Sequence, residues 1–141
     1  MNQLRFTKPS IFGCVLLIAM LVLTGCNRQG LSDNFDETEV KEAAVMIVDL
    51  INAQDTESLI EVSTPRLRAA ITEDVWDDVF AAISEGGPFD TIDKLSIRGM
   101  TDRASGEAYA VVTVSAQYEH RIFVFTISFT EKMELTGLYY R

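Results

Sequence analysis

The residues that follow position 35 repeat their apolar side chains with the period of an α-helix. Asp36 and Glu39 open this stretch with the spacing of a capping box, which predicts that a first helix begins at Asp36. The apolar positions fall on one side of that helix, and this side should be buried. They are Val40, Ala44, Ile47, Val48 and Ile51.

Shorter helices are predicted to follow, the first of them around Leu59. Thr64 before Pro65 marks a second helix start, because proline suits the first helical position. Thr72 should cap a fourth helix, which Gly86-Gly87-Pro88 ends because glycine and proline stop helices. The expected buried positions of the fourth helix are Trp76, Val79, Phe80 and Ile83.

The second half of the chain alternates apolar and polar residues, as half-buried strands do. Turns are expected at residues 102–106, 119–120 and 131–134, where polar residues gather. The predicted strands are Ile92–Arg98, Ala108–Tyr118, Arg121–Thr130 and Leu135–Tyr140.

A two-residue hairpin at Glu119-His120 predicts the register of the two longest strands. The pairs on one face are then all apolar: Ala116–Phe123, Val114–Phe125, Val112–Ile127 and Ala110–Phe129. The pairs on the opposite face are mixed: Gln117–Ile122, Ser115–Val124, Thr113–Thr126 and Val111–Ser128. A slip of one residue would scramble both faces, so this register is strongly specified.

Helices followed by antiparallel strands predict an α+β fold. The helices should pack on one face of a curved four-stranded antiparallel sheet, and that face should carry the phenylalanines.

The N-terminal region has a different character. Arg5 and Lys8 precede a 13-residue apolar run, Ile11–Leu23, which is shorter than the ~20 residues of a membrane-spanning helix. It ends in Leu23-Thr24-Gly25-Cys26, which resembles the lipoprotein signal peptide of bacteria. In such proteins the segment before the cysteine is removed and Cys26 would carry acyl chains such as palmitate.

The resemblance implies three segments: a signal peptide (1–25), a lipidated cysteine with a tether (26–35) and one folded domain (36–141). It also implies an extracytoplasmic protein held to the cell membrane by lipid. A secretory signal cleaved elsewhere, or an uncleaved anchor, are the alternatives.

Charge narrows the choice of partners. Loss of Arg5 and Lys8 leaves ten of the 12 basic residues against all 21 acidic residues, a net charge of −11. Such a surface is expected to repel nucleic acid and anionic lipid headgroups. Cys14 would leave with the signal peptide, so no disulfide could form in the domain.

The layout after Asp36 is similar to the domain of unknown function 3887. The local matches are Ile51–Asp55, Thr72–Trp76, Gly86–Phe89 and the terminal Thr136–Tyr140, all of them cap, turn and packing positions. The resemblance implies the cone-shaped fold of nuclear transport factor 2-like and cystatin-like proteins, in secreted proteins and lipoproteins. It implies no activity, and a fold alone does not license one.

Candidate chemistry is sparse. His120 falls at the expected hairpin tip, in water, and a single histidine makes a zinc site improbable. Asp90 and Asp93 could bind calcium weakly, although plain surface charge is favoured. No catalytic residue, metal site or cofactor is therefore predicted. The aromatic residues could line a pocket, but a filled core is favoured: Trp76, Phe80, Phe123, Phe125, Phe129, Tyr139 and Tyr140.

These features favour a membrane-anchored, non-catalytic module that binds a small molecule or an envelope protein. One alternative is a small cone-fold enzyme of the isomerase or dehydratase kind, which would need an acid or a tyrosine inside the cone. Another is a domain that forms a homodimer through the outer face of its sheet, where Ile122 and Val124 are expected.

Overall fold

Four helices precede four strands in the computed structural model, which describes residues 30–141. The proposed signal peptide and Cys26 lie outside the described residues. The helices are α1 (Glu37–Ala53), α2 (Thr56–Glu61), α3 (Pro65–Ala70) and α4 (Glu73–Ser84). The strands are β1 (Phe89–Thr101), β2 (Ala108–Tyr118), β3 (Ile122–Thr130) and β4 (Leu135–Tyr140). The predicted α+β class, with helices on one face of a curved antiparallel sheet, is confirmed.

The predicted helix starts at Asp36 and Thr64 are confirmed by side-chain cap bonds, and the start at Thr72 is confirmed by its position. The Asp36 carboxylate accepts the backbone N–H groups of Thr38 and Glu39 at 2.8 and 3.0 Å. The Thr64 hydroxyl accepts the N–H of Leu67 at 3.2 Å, with Pro65 at the first helical position. Thr72 occupies the cap position of α4 but makes no side-chain cap bond. Capping therefore stabilises α1 and α3 more directly than α4.

The sheet has the order β1-β2-β3-β4 and is antiparallel throughout. Every predicted β2–β3 pair is observed, from Ala116–Phe123 to Ala110–Phe129 on the phenylalanine face and from Gln117–Ile122 to Val111–Ser128 on the other. β1 is longer than the predicted Ile92–Arg98, because pairing with β2 overrides the poor strand propensity of Asp90 and Gly99.

The core lies between the helices and the phenylalanine face. The whole apolar stripe of α1 is buried, as are Trp76, Phe80 and Ile83 of α4. Phe35 is buried too and Leu31 packs beside it, so the last residues of the predicted tether contact the domain. The carbonyl of Gly30 lies so close to Gly99 of β1 that a Cβ there would overlap it.

The turn at Gly86 depends on the absence of a side chain. A Cβ at this buried position would stand 2.6 Å from Cε2 of Phe123 and 3.2 Å from Cβ of Tyr118. We expect Gly86→Ala to lower the free energy of unfolding by about 1–3 kcal/mol, because overpacking moves a core ring off its position. Urea denaturation measures the change.

Gly137→Ala is the matched control. A Cβ at Gly137 meets nothing closer than 3.5 Å, so its effect should stay within about 0.5 kcal/mol. Equal losses in the two variants would contradict the packing argument.

Candidate functional site

The aromatic residues that could have lined a pocket lie in the core instead. Trp76, Phe123, Phe125 and Phe129 are fully buried, and Phe80 nearly so. Trp76 and Phe80 have ring centroids 6.0 Å apart, and Phe123 and Phe125 have ring centroids 6.3 Å apart. Tyr140 sits at the edge of this cluster, its ring 6.2 Å from that of Phe123, and Tyr139 points to solvent. The aromatic side chains therefore fill the space between helices and sheet.

A small hollow remains where the C-terminal ends of α1 and α4 meet the start of β1. Its volume is about 150 Å³, and Phe80, Asn52 and Tyr118 are among its lining residues. Small-molecule pockets usually measure roughly 300–1,000 Å³. The hollow therefore has room for a few atoms only.

A buried polar pair borders this hollow. The hydroxyl of Tyr118 donates a hydrogen bond to Oδ1 of Asn52 at 2.5 Å, whereas Nδ2 of Asn52 is buried without a partner among the described residues. Burial raises the pKa of Tyr118 to about 12, although its bond to Asn52 acts in the opposite direction. Tyr118 is therefore a protonated hydrogen-bond donor at neutral pH. Sequence reasoning missed this pair, since the two residues lie 66 positions apart.

The other candidate residues are exposed. His120 lies in the β2–β3 turn, as predicted, where its backbone N–H donates to the Gly86 carbonyl at 2.8 Å. Asp90 and Asp93 fall at the two irregularities of β1, on the surface. Within residues 30–141, no three histidine, cysteine, aspartate or glutamate side chains converge as metal ligands would.

The face of the sheet opposite the phenylalanines is uncovered by any described helix. We call it the outer face. Its residues are Thr91, Lys94, Ser96, Arg98, Met100, Tyr109, Val111, Thr113, Ser115, Gln117, Ile122, Val124, Thr126, Ser128, Thr130, Gly137 and Tyr139. Ile122 is 50% exposed, Met100 42% and Tyr139 72%, so the face presents apolar surface among hydroxyl groups.

Charge is distributed unevenly between the two sides of the molecule. The four helices carry ten acidic residues and three basic ones. The outer face carries Lys94 and Arg98 on the edge strand β1, and Arg141 pairs with Val124 at the opposite edge of the sheet. No aspartate or glutamate occupies a ladder position of the outer face in the described strands. An acidic protein thus presents one basic surface.

A shallow groove of about 400 Å³ crosses one end of the outer face, lined by Arg66, Met100, Tyr109, Gly137 and Tyr139 among others. Gly137 has no side chain to fill it. The hydroxyl of Tyr109 donates to Oε2 of Glu107 at 2.7 Å, which raises the pKa of Tyr109.

Asp102, at the rim of the groove, turns its carboxylate toward its own hairpin. It accepts the N–H groups of Ala104 and Ser105 at 2.7 and 3.2 Å. These bonds lower the pKa of Asp102. The carboxylate is therefore engaged within the hairpin.

One family model matches most of the residues that form the fold described above. Residues 44–138 match the model of DUF3887, described as a protein of unknown function. The chain belongs to the DUF3887 family. The matched region runs from the middle of α1 to β4, so the family comprises the helix-on-sheet architecture described above. No curated protein matches the chain.

A solved structure has the same fold. The NMR structure of a protein from Ruminococcus gnavus ATCC 29149 superposes with a TM-score of 0.70 at 22% sequence identity, covering 79% of this chain and 96% of that one. At this identity the similarity shows the fold alone. The architecture is consistent with a nuclear transport factor 2-like fold. None of the helices between residues 30 and 141 combines the length and apolarity needed to cross a membrane.

The raised pKa of Tyr118 predicts a pH-dependent stability. The folded protein holds this proton up to about pH 12, whereas an unfolded tyrosine releases it near pH 10. The contribution of the protonated Tyr118 to the free energy of unfolding is therefore fully present below pH 10. This contribution is lost as the pH rises from 10 toward 12. We expect a decrease of about 1–2 kcal/mol across this window in the unmodified protein.

Tyr118→Phe should lose less stability across the same window, because phenylalanine has no proton to release. Urea denaturation at successive pH values measures both proteins. Parallel curves for the two would contradict the assignment.

Proposed function

We propose that this DUF3887 protein is a lipid-anchored module of the cell envelope that acts by binding, without catalysis, through the outer face of its sheet. The observation that supports the proposal is the exposure of the outer face to solvent. No described helix packs over this face; among the residues of the described helices only Arg66 of α3 reaches the groove at one end, and the face exposes Met100, Ile122 and Tyr139. Exposed apolar surface edged by polar groups is typical of interaction sites.

The filled interior supports binding over catalysis. A cone-fold enzyme needs a carboxylate or tyrosine in a hollow that admits substrate. The ionisable group beside the hollow is Tyr118, whose pKa of about 12 makes it a poor base at neutral pH. A small molecule has more room in the groove beside Gly137, whose volume of about 400 Å³ falls in the usual range for ligand sites.

The anchor rests on the N-terminal residues. The basic start, the apolar run and Leu23-Thr24-Gly25 before Cys26 support lipidation of the cysteine thiol. More than one acyl chain would hold the domain firmly, since each buried methylene contributes about 0.8 kcal/mol.

Self-association through the outer face is a second candidate. A filled interior together with the exposure of Ile122 favours it. Face-to-face pairing that sets β1 of one copy over β1 of the other would, however, bring Lys94 and Arg98 of the two copies together without a carboxylate on the ladder, which costs free energy through repulsion.

We expect Cys26→Ser to release the protein from the membrane fraction, because serine offers no thiol for lipid transfer. Fractionation and mass spectrometry of the N-terminal peptide measure the outcome. Ser10→Ala, before the apolar run, is the control and should remain anchored. Retention of Cys26→Ser in the membrane, or an N-terminal peptide without acyl mass, would overturn the anchor.

Occupation of the outer face can be tested in cells. Ser96→Cys places a thiol on the outer face, and Ala81→Cys places one on the exposed side of α4; the described residues contain no other cysteine. We expect a maleimide to label Ser96→Cys more slowly in the anchored protein than in the form released by Cys26→Ser. Ala81→Cys should label equally in both.

Equal labelling of Ser96→Cys in the two forms would show an unoccupied outer face and contradict the binding proposal. Slower labelling of both thiols in the anchored form would indicate general crowding at the membrane, which also contradicts it.

A further inference from the structure

The outer face of this acidic protein carries basic residues on its edge strand β1, and the described chain begins at that same edge, over the phenylalanine side of Gly99. We infer that the outer face lies on a membrane surface that contains anionic lipid headgroups, which orients the domain with its helices away from the bilayer. This inference rests on the proposed lipid anchor for its biological setting and adds the occupant of the outer face.

The position of the chain entry restricts which surfaces can reach a bilayer. The described residues begin at Gly30, which lies against Gly99 of the edge strand β1 on the phenylalanine side of the sheet. Four residue steps separate Gly30 from Cys26, a reach of at most about 14 Å. That is less than the diameter of a domain of this size, since the radius of gyration alone is about 13 Å. The bilayer must therefore lie near β1.

Two surfaces meet at that edge, and their charges differ. On the helix side, the start of α1 presents Glu37, Glu39 and Glu42, with Lys41 engaged by Glu37 at 2.6 Å. On the other side, β1 itself presents Lys94 and Arg98 on the outer face. An anionic surface repels the first and attracts the second.

The net charge of the protein does not decide this choice. Screening limits electrostatic attraction and repulsion to about 8 Å at physiological salt, which is less than the thickness of a sheet and its helices. A headgroup at the β1 side of the outer face therefore interacts mainly with Lys94 and Arg98 and weakly with the acidic helices. The expectation from net charge, repulsion of anionic lipid, applies to the helix side only.

The neutral side chains of the outer face suit a membrane interface. Tyr139 is 72% exposed, and tyrosine has an apolar ring and a polar tip that match the headgroup region. Met100 is exposed in the groove that Tyr139 also lines, and Ile122 is exposed at the opposite end of the face. The nearest carboxylates stand at the ends of the face: Asp102 is held by its hairpin, Glu107 accepts the Tyr109 hydroxyl, and Asp90 and Asp93 lie at the irregularities of β1.

The test uses residues 26–141 with Cys26→Ser and an N-terminal histidine tag, held by a chelating lipid on phosphatidylcholine vesicles with or without phosphatidylglycerol. A fluorophore on Ser96→Cys reports contact through quenching by spin-labelled lipids. We expect quenching on the anionic vesicles, none on the neutral ones, and none in either case for a fluorophore on Ala81→Cys. The artificial tether makes the result independent of lipidation at Cys26.

Charge reversal identifies the face. Lys94→Glu with Arg98→Glu should abolish the quenching, and should lower the affinity of the untagged chain for anionic vesicles at least about 25-fold, because each basic residue contributes roughly five-fold. Arg68→Glu with Lys132→Glu makes the same change in net charge away from the outer face and should preserve the quenching. Circular dichroism checks that each variant is folded.

Three outcomes would overturn the inference. One is quenching that survives the reversal of Lys94 and Arg98. Another is a loss of quenching in the control variant with Arg68→Glu and Lys132→Glu that equals the loss caused by reversing Lys94 and Arg98. That result would assign the effect to net charge. The third is a dimer in sedimentation without vesicles, broken by the reversal at Lys94 and Arg98, which would assign the outer face to a second copy of the chain.

Discussion

The pairing of β2 with β3 decides which side of this protein is its interior. β3 presents Phe123, Phe125 and Phe129 on one face, and β2 places alanine or valine opposite each of them. Small residues beside large ones let the rings lie flat enough for helices to pack over them. A shift by one residue would send these rings into water and bury threonine and serine. The helical layer and the outer face both follow from this register.

The helices cover the phenylalanine face that the β2–β3 register creates. The buried stripe of α1 and the aromatic residues of α4 meet the phenylalanine face, and together they occupy the space that a cone-shaped fold can leave open for a ligand. The remaining hollow, beside Tyr118 and Asn52, is bounded by a polar pair whose hydrogen bond links the end of α1 to the end of β2. Stability and an internal pocket compete for the same volume, and in this chain the aromatic side chains fill it. The proposed binding site therefore lies on the surface of the domain.

The surface is divided by the same alternation that builds the core. The paired residues on the outer face of the strands are hydroxyl-bearing, amide, apolar or basic, while most acidic residues lie on helices and turns, apart from Asp90 and Asp93 at the irregularities of β1. The result is a protein with a strong net negative charge and one basic side. For a domain close to a membrane, the charge of the side that faces it matters more than the total, because salt screens charges farther than a Debye length away.

Much of this architecture is determined by local sequence. Helix starts follow from Asp36 and Thr64, the α1 stripe from its period, and the β2–β3 register from a two-residue turn with matched alternation. Each of these depends on residues close together along the chain.

Only the tertiary structure decided the rest. Whether Trp76 and Phe125 fill or line the interior depends on how closely α4 approaches the sheet. The bond between Tyr118 and Asn52, the burial of Phe35 and the contact of Gly30 with Gly99 join residues from distant segments. Contacts of that range arise from the packing of elements against one another, and no local period or spacing in the sequence encodes them.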